Sequence, residues 1–237
     1  MSMKPEMIVA LDFDRADAAK NIVDMTGDAV KWYKVGLELF VADGKNIIEY
    51  LKKKDKNIFL DLKFHDIQNT VVSAVLASLQ YETDMVNMHT QGGGEMMASV
   101  VERVSEHCAK TNVRKPLLIG VTLLTSLDEK YMQSMKIGFQ NSKDYVLHLA
   151  SLAKQSGLDG VVSSAKETPF IKETLGRNFI TVTPGIRPAE ASVDDQKRVV
   201  TPKDAKNMGT DYIVIGRPVT QAKDPAQAAL KILEEMN

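Results

Sequence analysis

The 237-residue chain contains a single cysteine and carries almost no excess of either charge. Because one cysteine forms no internal disulfide and supplies no cysteine cluster for a metal, we expect Cys108 to be a small buried apolar residue in a reducing compartment. The 30 basic and 31 acidic residues give a formal net charge of -1, which excludes both the basic surface typical of nucleic-acid binding and an acidic tail. The expected partners are therefore small molecules, with no nucleic acid among them.

Long apolar runs are also missing. No segment approaches the roughly 20 apolar residues of a membrane span, and Met1 to Ala10 lacks the apolar stretch of a secretory leader. We therefore expect no membrane association and a cytoplasmic location. The 4 histidines show neither HExxH nor HxH spacing, so the sequence predicts no metal site.

The chain instead contains short apolar runs rich in β-forming residues, most of them followed by a stretch with helical periodicity. The eight runs are Met7–Phe13, Trp32–Leu39, Asn57–Phe64, Met85–Thr90, Pro116–Leu124, Gly160–Ser164, Phe179–Pro184 and Tyr212–Gly216. Helical faces are clearest at Val71, Val72, Val75, Leu76 and Leu79, and at Tyr145, Leu147, Leu149, Leu152 and Ala153. The longest predicted loops cover Thr125–Gln140 and Arg187–Lys203.

This alternation predicts an α/β fold, a (β/α)8 TIM barrel that forms one catalytic domain over residues 1–237. An open doubly wound sheet is the competing architecture. No GxGxxG follows the first run, where Ala10–Asp14 stands instead, so a dinucleotide-binding sheet loses support.

Polar residues recur at the same place relative to the predicted strands, near the end of a strand or just after it. They are Asp12, Lys34, Asp61, Lys63, Asp66, His89, Thr125 and Arg187, with Gly216 and Arg217 after the eighth run. In a barrel the carboxyl ends of the strands and the loops that follow form one face, which carries the chemistry. The shared position predicts an active site on that face.

Two sets of residues on this face suggest specific functions. Lys34, Asp61, Lys63 and Asp66 would form an array of alternating charges, because side chains two apart on a strand share a face. Burying such charges is costly unless they are paired or used, so the alternatives are a catalytic array and a purely structural ion-pair network.

The second set lies in the last two loops, Thr183–Pro188 and Ile215–Thr220. Each combines a glycine, which lets backbone N–H groups approach an anion, with an arginine, whose guanidinium matches phosphate oxygens. Barrel phosphate sites usually occupy these two loops, so we expect a phosphorylated substrate. The alternative is that the glycines only permit tight turns.

The motifs together resemble the orotidine 5'-phosphate decarboxylase family, and the resemblance spans nearly the whole chain. The matching segments are Val9–Asp12, Tyr33–Gly36, the DLKFHDIQNT block Asp61–Thr70, Thr122–Ser126, Thr183–Arg187 and Ile215–Gln221. The resemblance implies a lyase that decarboxylates orotidine 5'-monophosphate to uridine 5'-monophosphate and CO2, the last step of de novo pyrimidine biosynthesis, without a cofactor. One departure is Gln68, where the family usually has proline.

The resemblance also implies roles for individual residues. Lys63 would deliver a proton to C6 of the pyrimidine and Asp61 would lie against the departing carboxylate, with Lys34 and Asp66 completing the catalytic set. For substrate binding it implies Asp12 and Lys34 at the ribose, Thr125 at the base, and Arg187, Gln196, Gly216 and Arg217 at the phosphate. It further implies a homodimer in which Asp66 and Thr70 reach the partner's site.

Two alternatives remain on the same scaffold. One is a magnesium-dependent sugar-phosphate decarboxylase or aldolase-like enzyme, whose metal would hold an enediolate. The other is a catalytically silent protein that binds phosphorylated ligands. Dependence of activity on a metal would distinguish the first alternative from an orotidine 5'-phosphate decarboxylase. A CO2-release assay would distinguish the second.

Overall fold

A computed structural model describes residues 4–188 and 200–237 of the chain. Its eight strands form a closed parallel barrel in which each strand pairs with the next and β8 pairs with β1. The prediction of a (β/α)8 barrel is confirmed, and the pairing that closes the sheet rules out the open doubly wound alternative.

The strands lie where the apolar runs predict them. They are β1 Glu6–Leu11, β2 Trp32–Gly36, β3 Asn57–Phe64, β4 Met85–His89, β5 Leu117–Val121, β6 Gly160–Val162, β7 Ile180–Thr183 and β8 Tyr212–Ile215. Several end earlier than predicted. β2 stops at Gly36 because Leu37 already begins a helix, and this places Gly36 at the junction of strand and helix.

Helices follow most of the strands in the described residues. They are α1 Ala16–Thr26, α2 Leu37–Lys53, α3 Gln68–Ser78, α4 Gly94–Thr111, α5 Glu129–Ser134, α6 Ser142–Gln155, α7 Thr168–Leu175, α8 Pro202–Asn207, α9 Arg217–Thr220 and α10 Pro225–Glu235. Short 3₁₀ turns cover Gly27–Ala29, Leu79–Tyr81, Thr90–Gly92 and Ala165–Glu167. No helix within these described ranges is long and apolar enough to cross a membrane.

One loop prediction is wrong. The segment Thr125–Gln140 was expected to lack regular structure, yet it contains α5. The Asp128 carboxylate accepts hydrogen bonds from the backbone N–H groups of Lys130 and Tyr131, which caps the helix at its start. A helix this short shows too little apolar periodicity to be recognised from the sequence. The capping residue Asp128 was the available sign that a helix begins there.

The core has two layers. An outer layer lies between the sheet and the helices and contains most of the buried apolar residues. A smaller inner layer fills the barrel and consists of Ile8, Ala10, Trp32, Phe59, Met85, Ile119, Val182 and Val214. These bulky side chains fill the middle of the barrel.

Candidate active site

The charged residues of the site continue the inner layer by one step along each strand. Inward side chains recur every second residue, so Lys34 follows Trp32 and Asp61 follows Phe59 toward the carboxyl end. The register pairs Lys34 with Phe59 and Gly36 with Asp61, so Asp61 lies one inward position beyond Lys34 along the paired strands. The inner core layer therefore lies directly below the charged groups, on the side of the amino end of the barrel.

Four of the predicted side chains meet in one chain of ion pairs. Lys34 Nζ lies 2.8 Å from Asp12 Oδ1 and 3.3 Å from Asp61 Oδ2. Lys63 Nζ lies 2.7 Å from Asp61 Oδ1. The order Asp12, Lys34, Asp61, Lys63 alternates in sign, so each buried charge has an opposite neighbour. We call these four residues the charged array.

Lys34 is held as an ammonium by its neighbours. Burial is the largest single influence and favours loss of the proton, but the charges of Asp61 and Asp12 and their hydrogen bonds together outweigh it, so the pKa of Lys34 lies above its ordinary 10.5. Lys34 therefore stays charged through the physiological pH range and fixes both carboxylates in place.

Lys63 reaches the array through an irregularity in β3. Leu60 pairs with Val86 of β4, but the next pair is Phe64 with Met88, so β3 contains extra residues at this point. Lys63 itself has a φ of 49°, in the left-handed region that residues other than glycine seldom adopt. The prediction that Asp61 and Lys63 project together is confirmed, although a bulge contributes to it as well as strand alternation.

Asp66 lies apart from the array of its own protomer. Its side chain is exposed, and its carboxylate accepts a hydrogen bond from the backbone N–H of Ile67. Thr70, in the first turn of α3, is also exposed, and Ile67 is 74 % exposed despite being apolar. The turn that follows β3 carries these side chains away from the cavity of their own barrel.

A cavity of about 220 Å³ opens beside the array. Lys34, Asp61 and Lys63 form its charged wall, while Phe59, Val162 and Val214 are among its apolar lining residues. Thr125 also lines it, as the sequence predicted. One part of the cavity lining is thus apolar, and another part presents alternating charges.

A second cavity of about 330 Å³ shares the lining residues Lys34, Pro184 and Val214 with the first, so the two cavities are adjacent. Arg187, Gly216 and Arg217 line it, which brings together the two loops predicted to bind phosphate. Gln196, the remaining residue predicted for this function, lies outside the described residues.

Sequence reasoning missed two residues that shape the array. Asn87 is fully buried on β4 and contacts both Asp61 and Lys63. Gly36 leaves room for the Lys34 ammonium, because a Cβ there would lie 2.8 Å from Lys34 Nζ. The signal for Asn87 was an amide inside the otherwise apolar strand β4, but its partners depend on the strand register.

Two histidines stand next to the array without joining it. The rings of His65 and His89 have centroids 5.2 Å apart. Burial, reinforced by the positive potential of His65 and Lys63, lowers the pKa of His89 below its ordinary 6.5. In residues 4–188 and 200–237, no group of three or more His, Cys, Asp or Glu side chains is placed to hold a metal ion.

Comparison with known proteins identifies what the chain resembles. The model of the family described as Orotidine 5'-phosphate decarboxylase / HUMPS matches residues 5–232. The chain is 49 % identical over 225 residues to the orotidine 5'-phosphate decarboxylase of Pseudoalteromonas atlantica, covering 94 % of this chain and 95 % of that protein. It is 46 % identical to the Vibrio cholerae protein of the same name, over 98 % and 97 % of the two chains.

A solved structure agrees with these matches. The crystal structure of orotidine 5'-phosphate decarboxylase from Lactobacillus acidophilus superposes with a TM-score of 0.85 at 37 % identity. The alignment covers 99 % of this chain and all of that one. The likeness therefore extends over nearly the full chain.

Proposed function

Because the chain belongs to the orotidine 5'-phosphate decarboxylase / HUMPS family, we propose that it converts orotidine 5'-monophosphate to uridine 5'-monophosphate and CO2. The proposal rests chiefly on the charged array, which lines a cavity that adjoins a second cavity with two arginines. A nucleotide matches these two cavities, because it has a flat base at one end and a phosphate dianion at the other. The reaction belongs to pyrimidine biosynthesis.

The array suits the chemistry of this step. When the bond from C6 to the carboxylate breaks, its electron pair stays in a ring orbital that cannot delocalise, so the site must stabilise a localised negative charge. We propose that the Lys63 ammonium faces C6, stabilises the developing carbanion and then transfers a proton to it. The lysine afterwards regains a proton from solvent, and CO2 leaves as the second product.

Asp61 contributes from the other side of the reacting bond. Its carboxylate would lie against the substrate carboxylate and repel it until CO2 departs. Two unit charges about 4 Å apart at an effective dielectric of 20 interact by ~4 kcal/mol, or about a thousandfold in rate. Repulsion alone is therefore too small for so unfavourable a reaction, and stabilisation of the transition state by Lys63 is needed.

The phosphate would supply binding energy far from the reacting atoms. We propose that Arg187 and Arg217 hold it, with Gly216 allowing close approach of the backbone. Lys34 lines both cavities and Asp12 lines the second, and these two residues would bind the ribose hydroxyls, while Thr125 would contact the base. Anchoring both ends of the nucleotide orders the ring against the array.

A spectrophotometric assay tests this function. Wild-type protein should deplete orotidine 5'-monophosphate, followed as a fall in absorbance, and should do so at full rate in excess chelator. Orotidine without its phosphate should lose turnover as well as affinity, because the remote binding energy is missing. Equal turnover of the bare nucleoside would refute the role of the phosphate, and loss of activity in chelator would favour the magnesium-dependent alternative.

We also propose that the active form is a homodimer in which Asp66 and Thr70 enter the site of the partner. Both side chains are exposed on the monomer, and they flank an apolar residue, Ile67, that is 74 % exposed. An exposed apolar side chain between two polar groups is typical of a surface that a partner covers. In the partner's site Asp66 would complete the alternating charges beyond Lys63.

Complementation between two inactive variants tests this arrangement. Lys63→Ala and Asp66→Ala should each be nearly inactive alone. Mixed dimers contain one site with both changes and one site with neither, so random co-assembly should restore about a quarter of wild-type activity. If Asp66 acted within its own protomer, co-expression would restore nothing.

A further inference from the structure

We infer that Asn87 is a positioning residue of the active site, which holds Asp61 and Lys63 in their catalytic geometry without itself contacting the substrate. This inference rests on the proposed function. The residue lies on β4, two positions after Met85 of the inner core layer, and its side chain is fully buried.

One side chain makes both contacts. The Asn87 amide Nδ2 donates a hydrogen bond of 2.7 Å to Asp61 Oδ1, and its Oδ1 accepts one of 2.8 Å from the backbone N–H of Lys63. These partners fix the orientation of the amide, because a carboxylate requires a donor and a backbone N–H requires an acceptor. Asn87 therefore links the two residues proposed to act on either side of the reacting bond.

The position of Asn87 in the sheet explains why this link is needed. Between the pairs Leu60 with Val86 and Phe64 with Met88, Asp61 to Lys63 of β3 lie beside Asn87 alone. The bulge interrupts the ordinary ladder, and the Asn87 side chain supplies an acceptor for the Lys63 N–H. Without it, a backbone N–H in a sheltered position would lose its partner.

The conformation of Lys63 adds a second reason. Its φ of 49° is unfavourable for a residue with a side chain and persists only where the surroundings hold it. The hydrogen bond from the Lys63 N–H to Asn87 and the ion pair from its ammonium to Asp61 act at the two ends of the residue. Together they fix where the proton donor lies.

The chemistry of the amide is also specific. Asp61 Oδ1 accepts one hydrogen bond from the neutral amide of Asn87 and one from the ammonium of Lys63. An aspartate at position 87 would keep the acceptor for the Lys63 N–H but place a second carboxylate against Asp61. That pair would share a proton, and the proton would restore the missing donor.

Two variants test the inference, Asn87→Asp and Asn87→Ser. We expect kcat of N87D to fall roughly 100-fold near pH 8, the scale of a misplaced catalytic group. The deficit should shrink to less than about tenfold near pH 5.5, because protonation of the new carboxyl group restores the donor. N87S should lose kcat to a similar extent at both pH values, while the affinity of each variant for uridine 5'-monophosphate stays within about threefold of wild type.

Asn57→Asp is the matched control. It makes the same change at the opposite end of β3, and its pH profile should follow that of wild type. An inactive wild-type protein in the same assay would defeat the proposed function itself. Active wild type with N87D and N87S within threefold of its kcat at both pH values would overturn the inference alone. Failure of both variants to fold would also overturn it, since the role of Asn87 would then be stability.

Discussion

The two ends of the barrel both bury aspartates, but they use them differently. At the amino end, Asp84, Asp159 and Asp211 stand immediately before β4, β6 and β8. Each carboxylate accepts a hydrogen bond of 2.7 to 2.8 Å from a backbone N–H at the start of the preceding strand. At the carboxyl end, the partners of Asp61 within residues 4–188 and 200–237 are side chains, and two of them are lysines.

This difference separates structure from function. A carboxylate bound to backbone N–H groups is fixed by the sheet and ties two strands together, as Asp211 does at Thr181. A carboxylate held by ammonium groups in a cavity can respond when a charged ligand arrives. Burial and pairing alone therefore do not identify a catalytic acid, whereas the kind of partner and an adjacent cavity do.

The largest effect in this comparison should come from removing the charge of Asp61. Asp61→Asn keeps the shape but removes the negative charge between Lys34 and Lys63, so we expect kcat to fall about a thousandfold. The melting temperature should change little, because Lys34 keeps its ion pair with Asp12 and the Lys63 side chain is partly exposed. Steady-state kinetics and thermal unfolding check this, and a normal kcat would contradict the role of the array.

The opposite result is expected at the amino end. Asp211 pairs with the largely buried Lys172 and accepts hydrogen bonds from the N–H and hydroxyl groups of Thr181. Asp211→Ala leaves that ammonium without its anion, so the free energy of unfolding should fall by about 3 kcal/mol. In a chain of this size the melting temperature then falls by about 6–12 °C.

The kcat of folded D211A at 25 °C should match that of wild type, since the substitution lies across the inner core layer from the cavity. A large loss of kcat without a loss of stability would erase the distinction between the two ends.

A smaller effect on activity is expected from Gly36→Ala. The new Cβ would stand 2.8 Å from Lys34 Nζ, and because the ammonium ends a flexible side chain it moves rather than unfolding the barrel. Displacing Lys34 from Asp12 and Asp61 should lower kcat/KM about tenfold. Gly138→Ala is the control, because a Cβ there meets no atom within 4 Å. Equal kinetics for the two variants would show that the space beside Lys34 is unimportant.

The smallest effect concerns His89. Its pKa is lowered in the folded protein, so between that value and the ordinary 6.5 the unfolded chain binds more protons. Stability is therefore lost as pH falls below about 6.5, and the loss ends once pH passes below the folded pKa. The stability of wild type should fall relative to His89→Gln over this range.

Urea unfolding at about pH 7.5 and about pH 5.5 measures that difference. His107→Gln, exposed on α4, should track wild type. A difference between wild type and H89Q that stays constant with pH would contradict the prediction.

The fold and most of the site were predictable because they follow from short-range rules. Alternating apolar runs indicated every strand, and the rule that function lies at the carboxyl ends of barrel strands located Lys34, Asp61 and Thr125. The family resemblance named the reaction. The sequence also showed that Arg187 and Arg217 belong to one cavity, since the last two strands are neighbours.

What could not be predicted depends on register and on conformations that no spacing rule contains. The bulge in β3 and the left-handed Lys63 determine that Asn87 contacts Asp61, and neither can be derived from alternation. The position of Asp66 outside the array of its own protomer depends on the turn after β3, which strand alternation does not describe.

The most direct test of the account compares two partly buried lysines, Lys63 in the cavity and Lys172 at the amino end, each paired with an aspartate. Turnover of orotidine 5'-monophosphate is measured with Lys63→Ala and Lys172→Ala, alongside thermal unfolding of both. We predict that K63A folds and is nearly inactive, and that K172A is less stable but turns over substrate like wild type. Turnover by K63A at the wild-type rate would contradict its role as the proton donor.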